Sequence, residues 1–254
     1  MISCMEQQVR ALASRLRGAR TLTVMTGAGV SAASGVPTFR GAEGLWRTFR
    51  PEDLATPDAF ARDPALVWEW YSWRRAKVAS CRPNAAHEVI ARWSHAPARH
   101  VRVITQNVDD LHLRAGTREL IRLHGSLWET RCFNECAAGV RAWRDEELAE
   151  RDRLPRCPHC GGLARPAVVW FGESLDANDV ERASQAASCD VFLTVGTSAI
   201  VYPAAGFARV AQTRGAFTAE INLEPTPASP LVDLSILGAA EAVLPAVDQL
   251  LATD

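Results

Sequence analysis

The chain has 254 residues, 48% of them hydrophobic, and a formal net charge of −1 at pH 7. This length fits one large domain, or a large domain with a small partner. The balanced charge argues against binding to nucleic acid through bulk charge, and no apolar run approaches the ~18 residues of a membrane helix. The N-terminal MISCMEQQVR lacks the apolar core of a signal peptide, so we expect a cytoplasmic protein.

The first predicted elements are a helix over residues 6–17 and a strand over residues 21–25 that ends in a glycine turn. A strand, a glycine turn and a helix start form a phosphate-binding unit in dinucleotide-binding proteins. Here Gly27 would permit the turn, Gly29 would let the backbone approach a pyrophosphate, and Ala32 would pack closely on the strand. Ordinary strand-to-helix turns share this spacing, and the acidic residue expected about 20 residues later is missing.

An insertion separates the first strand from the second. A glycine-rich loop over residues 35–46 precedes predicted helices over residues 64–80 and 84–94. The next apolar strand is predicted only at residues 101–105. The intervening residues are therefore interpreted as an inserted segment.

The remaining strands define the fold class. They are predicted over residues 121–123, 191–195 and 216–223, with an extended apolar segment at 167–171 and a closing helix at 241–251. Strands that alternate with helices predict an α/β fold with a doubly wound parallel sheet, in which ligands bind beyond the carboxyl ends of the strands. Those ends read GAG, QNVD, HGS, GTS and NLE, so the sequence predicts a cofactor site along one edge of the sheet.

Four of the seven cysteines form two close pairs, Cys132 with Cys136 and Cys157 with Cys160. The odd total argues against a full disulfide framework, whereas two thiolate pairs predict tetrahedral zinc. Four protein ligands leave no open coordination position, so this zinc would be structural. The alternatives are four buried thiols without a metal, or His159 in place of one cysteine.

His124 follows the third predicted strand, on the same edge as QNVD and GTS. A single histidine is more often structural than catalytic, but this position and its ordinary pKa suit a general base near neutral pH. The other histidines lack such a context, and we expect surface or packing positions for His87, His95, His100 and His112.

Tyr71 and Arg74 are three residues apart on a predicted helix and therefore share a face. A phenol and a guanidinium on one face can bind a carboxylate. The alternative is a solvated arginine beside a core tyrosine. Helical spacing alone also does not choose between Arg74 and Arg75.

Taken together, GAGVSAASGVPTFRG, TQNVD, LHGS, VGTS and INLE, with paired cysteines between the third and fourth, resemble a sirtuin from residue 25 to the last helix. The resemblance implies a Rossmann-like doubly wound parallel sheet and a smaller domain made of a zinc module and a helical insertion. The implied boundaries are residues 1–40, 101–125 and 166–254 for the Rossmann-like NAD-binding domain, 41–100 for the helical and cofactor-loop insertion, and 126–165 for the zinc module.

Sirtuins use NAD to remove acyl groups from protein lysines, so the resemblance implies NAD as co-substrate, one structural zinc and acylated lysines of proteins as partners. In that chemistry the amide oxygen of the acyl-lysine attacks the ribose carbon that bears nicotinamide, and nicotinamide leaves. A histidine base then activates a ribose hydroxyl, which takes the acyl group away as O-acyl-ADP-ribose and releases free lysine. By resemblance His124 is that base, and Asn107 is a second catalytic residue.

The resemblance also implies binding roles. Asn107 and Asp109 would line the nicotinamide pocket, and Gln106 would contact the ribose. Phosphate and loop contacts would come from Gly27, Ala28, Gly29, Ser31, Arg40 and Trp46, with Phe39 shielding the reacting centre. The adenosine side would be bound by Gly196, Thr197, Ser198, Asn222, Leu223 and Glu224. The segment VVWFGE would pair with the substrate backbone through Val169, Phe171, Gly172 and Glu173.

The stretches EDLATPDAF and VWEWYSWRR are similar to class III sirtuins, which remove succinyl, malonyl and glutaryl groups. In these an alanine widens the acyl pocket and a Tyr-x-x-Arg pair binds the distal carboxylate. The resemblance therefore assigns Ala55, Tyr71 and Arg74 to the acyl group and selects Arg74 over Arg75. One departure from the family is C-x3-C in place of C-x2-C, which bears on the geometry around Cys136.

Three other functions stay open on sequence alone: a general deacetylase, a mono-ADP-ribosyltransferase, and an NAD-sensing binding module. The oligomeric state also stays open, and a monomer is compatible with the sequence.

Overall fold

The structure is a computed structural model that describes residues 4–38, 50–137, 141–147, 149 and 153–252. Phe39, Arg40 and Trp46, which the resemblance assigns to the cofactor, lie outside the described residues. Among the helices of the described part, none combines the length and the apolar character needed to cross a bilayer.

Most of the predicted elements are present with ends shifted by one or two residues. The described helices are α1 (Cys4–Gly18), α2 (Gly29–Ala32), α3 (Pro51–Leu54), α4 (Pro57–Arg62), α5 (Pro64–Ala79), α6 (Ala85–His95), α7 (Leu111–Arg114), α8 (Ala177–Ala186), α9 (Phe207–Thr213) and α10 (Ala240–Ala252). The described strands are β1 (Thr21–Thr26), β2 (His100–Thr105), β3 (Leu120–Arg122), β4 (Gly125–Cys132), β5 (Trp143–Arg144), β6 (Ala164–Val168), β7 (Val191–Val195), β8 (Phe217–Asn222) and β9 (Leu234–Leu237).

The large sheet has the strand order β3-β2-β1-β7-β8-β9, and its strand pairs are parallel. The chain moves outward in one direction through β1, β2 and β3 and in the other through β7, β8 and β9. The order therefore reverses between β1 and β7, which is where doubly wound sheets open a crevice for ligands. The register pairs Thr26 with both Thr105 and Val195, so these three strands end at one level. The predicted doubly wound fold is confirmed.

Helices cover both faces of this sheet. Leu12 and Leu16 of α1, Ile90 of α6 and Leu244 of α10 are fully buried in one core, and α8 and α9 contribute to the core on the other face. Burial on both faces fits the mainly apolar composition of β7, whose five residues are all buried. The domain boundaries stay a prediction, but α6, which they assign to the helical insertion, packs in the core of the large sheet.

The smaller domain combines an antiparallel sheet of order β5-β4-β6 with α3, α4 and α5. These helices and β4 share a second core that includes Phe60, Trp68, Leu127 and Trp170. The Trp68 indole donates to the Ala164 carbonyl at 2.9 Å, which joins α5 directly to β6. The apolar segment predicted at residues 167–171 therefore begins within a strand of the small sheet, and β4 and β5 were not predicted.

Candidate active site

A cleft of about 1280 Å³ lies at the carboxyl edge of the large sheet, where the small domain faces it. All five predicted strand ends contribute to its walls, as the sequence predicted. The cleft is lined by the predicted site residues Gly27, Ala28, Gly29, Ala55, Tyr71, Arg74, Gln106, Asn107, His124, Val169, Phe171, Gly172, Glu173, Gly196, Thr197, Ser198, Asn222, Leu223 and Glu224.

The glycine turn after β1 packs directly against the turn after β7. The Gly29 amide donates to the Gly196 carbonyl at 2.8 Å, and a Cβ on Gly29 would lie 2.8 Å from Gly196 Cα. Gly29 is thus required by the neighbouring turn, and its amide bonds to protein.

The expectation for Ala32 was wrong. Because α2 begins at Gly29 and is one turn long, Val30 is buried in the core and Ala32 is exposed along the cleft.

His124 is oriented by a backbone carbonyl. Its Nδ1 lies 3.0 Å from the Gln106 carbonyl oxygen, which can only accept a hydrogen bond, so Nδ1 carries the proton and Nε2 has a lone pair. Burial lowers the pKa of His124 below its usual 6.5, so the imidazole is neutral at pH 7. The Gln106 side chain donates to Thr197 Oγ1 at 3.0 Å and links this histidine to the turn after β7. The arrangement can accept a proton from a hydroxyl in the cleft.

Asn107, which lines the cleft, forms a buried cluster with Ser31 and Asp109. The Asn107 amide donates to Ser31 Oγ and to the Gly27 carbonyl, both at 3.1 Å. Ser31 Oγ donates to Asp109 Oδ2 at 2.8 Å, and burial raises the pKa of Asp109. Asp109 borders a smaller pocket that shares Asn107 with the cleft, whereas Ser31 lies behind the lining.

His87 and His112 lie behind this cluster, where sequence reasoning had found no context for them. His87 Nε2 is 3.4 Å from Ser31 Oγ, and His112 Nε2 is 2.9 Å from Thr26 Oγ1. Burial lowers the pKa of His87 to about 4 and that of His112 well below its usual value. Both are neutral packing residues with polar contacts. His87 also accepts from the Asn84 amide at Nδ1, in the capping box that starts α6, whereas Ser31 and Thr26 lie too far along the chain for any local signal to show them.

Ala55, Tyr71 and Arg74 meet at the end of the cleft nearest the small domain. All three are buried, and the Arg74 guanidinium lies 4.8 Å from the Trp70 ring centroid and 5.4 Å from that of Tyr71. Burial lowers the pKa of Arg74, a sign that its charge is partly desolvated. The Trp170 indole donates to the Tyr71 hydroxyl at 2.8 Å, so the hydroxyl can donate its own proton to an anion.

Arg75 points elsewhere and serves the small domain. It is fully buried, and it donates to the carbonyls of Leu127 and Glu147, each at 2.6 Å, and to Thr130 Oγ1 at 3.2 Å. Its guanidinium thus satisfies backbone acceptors of β4 and of the turn after β5. The structure places Arg74, and not Arg75, on the cleft.

The segment after β6 is held along the cleft by backbone hydrogen bonds. The Val169 amide donates to the His124 carbonyl at 3.0 Å, and the Phe171 amide donates to the Ala55 carbonyl at 2.9 Å. The Phe171 side chain is exposed at the cleft. The segment therefore connects His124 with the Ala55 end of the site.

Glu173 borders the cleft, but its carboxylate bonds to protein. It accepts from the buried Arg165 at both oxygens, from Arg131 at 3.3 Å and from the Trp170 amide at 2.7 Å. Arg165 also stacks on the Trp170 ring at 3.3 Å from the centroid. Glu173 thus holds the segment in shape, which its predicted substrate-binding role did not anticipate.

The four predicted zinc ligands converge. The Sγ atoms of Cys132, Cys136, Cys157 and Cys160 all lie within 4.8 Å of one another. The distance between Cys132 and Cys160 is 3.6 Å, and that between Cys136 and Cys157 is 3.7 Å. Zinc–sulfur bonds of about 2.3 Å in a tetrahedron place sulfurs about 3.8 Å apart, so the cluster fits a structural zinc. Within the C-x3-C loop Glu135 adopts a φ of +51°, so the extra residue fits without displacing Cys136 from the cluster.

The chain is similar to known proteins over most of its length. The model of the Sir2 family matches residues 27–203. NAD-dependent protein deacylase 2 of Pyrobaculum aerophilum is 50% identical over 92% of each chain, and NAD-dependent protein deacylase 1 of Pseudomonas aeruginosa is 50% identical over 93% of this chain and 96% of the relative. A crystal structure of a Sir2 homolog–NAD complex superposes with a TM-score of 0.88 at 43% identity, covering 96% of this chain and 93% of the other.

Proposed function

Because the chain belongs to the Sir2 family and is an NAD-dependent protein deacylase, we propose that it acts preferentially on lysines with negatively charged acyl groups, such as succinyl and malonyl. The observation that carries this proposal is the Arg74 guanidinium, buried on the cleft wall beside Tyr71. A guanidinium whose pKa burial lowers gains free energy from an anionic partner. Tyr71 and Asp109 already offset part of the effect of burial on the Arg74 pKa, and a carboxylate at the far end of an acyl chain would add a further anionic partner.

In this proposal different residues of the cleft carry out different parts of the reaction. NAD supplies the ribose to which the acyl group is transferred. His124 accepts the proton of a ribose hydroxyl at Nε2, because its Nδ1 proton is bound to the Gln106 carbonyl. Asn107 and Asp109 hold the nicotinamide end.

The other proposed contacts follow the walls of the cleft. The turns after β7 and β8 hold the adenosine side, and the segment from Val169 to Gly172 pairs with the substrate backbone. Ala55 leaves room for the acyl chain, while Tyr71 and Arg74 donate to its carboxylate.

The test compares succinyl-lysine and acetyl-lysine on one peptide sequence with NAD. Wild type should show the higher kcat/KM on the succinyl peptide. Arg74→Met removes a charged hydrogen bond to a desolvated carboxylate, which costs roughly 2–5 kcal/mol, so succinyl turnover should fall about 30-fold or more. Acetyl turnover should change little, because an acetyl group has no carboxylate that could pair with Arg74.

Lys77→Met is the matched control. It removes one positive charge from α5 at an exposed position three residues after Arg74, so it tests whether bulk charge alone attracts the succinyl group. Its ratio of succinyl to acetyl turnover should equal that of wild type.

Equal turnover of both peptides by wild type, unchanged in Arg74→Met, would make the protein a general deacetylase, which the same site also accommodates. Transfer of ADP-ribose to protein without release of free lysine would favour a mono-ADP-ribosyltransferase.

A further inference from the structure

Asp110, the residue after the QNVD motif, is held from two directions. It is buried, and its φ of +58° lies in the left-handed region. One carboxylate oxygen accepts from Arg122 of β3 at 3.4 Å, and the other accepts from Arg144 of β5 at 2.9 Å. Arg144 lies between the two cysteine pairs in the chain. The ion pair between Arg144 and Asp110 therefore joins the zinc module to the loop that follows β2.

The left-handed turn at Asp110 determines the direction of the next amide. The Leu111 N–H turns back and donates to Asp109 Oδ1 at 2.9 Å, while Ser31 Oγ donates to Oδ2 at 2.8 Å. Together these two hydrogen bonds fix the plane of the Asp109 carboxylate. The small sheet holds the same backbone a second time, since the Trp128 indole donates to the Asp109 carbonyl at 3.2 Å.

We propose that Asp110, held by Arg144, is a positioning residue for the reaction with NAD. It maintains the turn that orients the Asp109 carboxylate beside the smaller pocket that shares Asn107 with the cleft. A residue with a Cβ is unfavourable in left-handed backbone, although Asp and Asn tolerate it better than most, and the two ion pairs offset this cost. The zinc module thereby contributes to cofactor binding through one arginine. This inference rests on the NAD-dependent activity and is independent of the acyl preference.

Three single variants test it. Asp110→Asn removes the negative charge and keeps a residue that tolerates left-handed backbone. Arg144→Gln removes the positive charge of its ion-pair partner. Glu146→Gln is the matched control, because Glu146 is an exposed partner of Arg144 at 2.8 Å and its loss leaves the pair with Asp110 intact.

The expected result is a change in KM for NAD with a smaller change in kcat. Weakening the contact between Asp109 and bound NAD should raise KM about tenfold in Asp110→Asn and in Arg144→Gln, because the bond from Ser31 limits the displacement of Asp109. Glu146→Gln should have the wild-type KM. The double variant Asp110→Asn with Arg144→Gln should resemble Asp110→Asn alone, because that single change already removes the pair with Arg144.

Calorimetric titration of NAD into the protein without an acyl peptide should show the same loss of affinity, so the outcome does not depend on which acyl group is removed. Wild-type KM and Kd in Asp110→Asn and Arg144→Gln would overturn the proposal, as would fully additive effects in the double variant. A lower Tm with unchanged KM would reduce Asp110 to a structural role and would also overturn it. If Asp110→Asn does not fold, Arg144→Gln still decides, because Arg144 is half exposed.

Discussion

Gly196 allows a test of how the cleft is built, because an added methyl group there has two separable costs. Its φ is +61°, and a Cβ on it would lie 2.4 Å from the backbone nitrogen of Val30. Left-handed backbone costs a residue with a Cβ roughly 1–2 kcal/mol, and forcing atoms into a filled space costs roughly 1–3 kcal/mol. Gly215 separates the two costs, since its φ is +88° and no described atom lies within 4 Å of its Cβ position.

Thermal unfolding and NAD kinetics of Gly196→Ala and Gly215→Ala give the comparison. For a chain of this size 1 kcal/mol corresponds to about 2–4 °C in Tm, so Gly215→Ala should lower Tm by about 2–8 °C and Gly196→Ala by about 4–20 °C. Only Gly196→Ala should raise KM for NAD, because the methyl group must separate the turns after β1 and β7. If both variants lose the same Tm and keep the wild-type KM, contact between these turns does not shape the cleft.

Two further predictions concern His124 and the cysteine cluster. Because burial lowers the pKa of His124 below 6.5, kcat/KM should be constant at neutral pH and fall only as the pH drops through a value below 6.5, where the imidazole gains a proton and stops acting as a base. A fall in kcat/KM centred above pH 6.5, or unchanged turnover by His124→Ala, would contradict the assignment of His124 as the base. Metal analysis should find one zinc ion per chain bound to the cysteine cluster. Chelation should lower Tm and abolish activity, since binding of structural zinc contributes on the order of 10 kcal/mol to folding; full stability of the zinc-free protein would rule this out.

The general plan of the site could be predicted because it depends on local signals. Apolar runs define the parallel strands, and parallel strands place their carboxyl ends on one edge, so GAG, QNVD, HGS, GTS and NLE had to meet. The zinc cluster follows from spacing in the same way. These inferences need no knowledge of how distant side chains pack.

Other assignments depend on partners far along the chain and were out of reach. Positions three and four after Tyr71 are geometrically equivalent on a helix, and only acceptors on β4 and near β5 direct Arg75 away from the cleft. Glu173 could not be recognised as a partner of Arg165, because their bond depends on how the segment turns after β6. The contact of His112 could likewise not be predicted, because its partner Thr26 lies at the end of β1, far from His112 in the chain.

The hydrogen bond from the Trp170 indole to the Tyr71 hydroxyl constrains how this enzyme can be redesigned. A pocket for a long neutral chain would replace Tyr71 with an apolar residue, and that change would leave a buried indole N–H unpaired at a cost of about 1–3 kcal/mol. Trp170 lies between Val169 and Phe171 on the cleft wall, so the loss would also disturb the segment that we propose to bind the peptide. Diverging relatives are therefore expected to exchange the two residues together, and a designer should treat them as one unit.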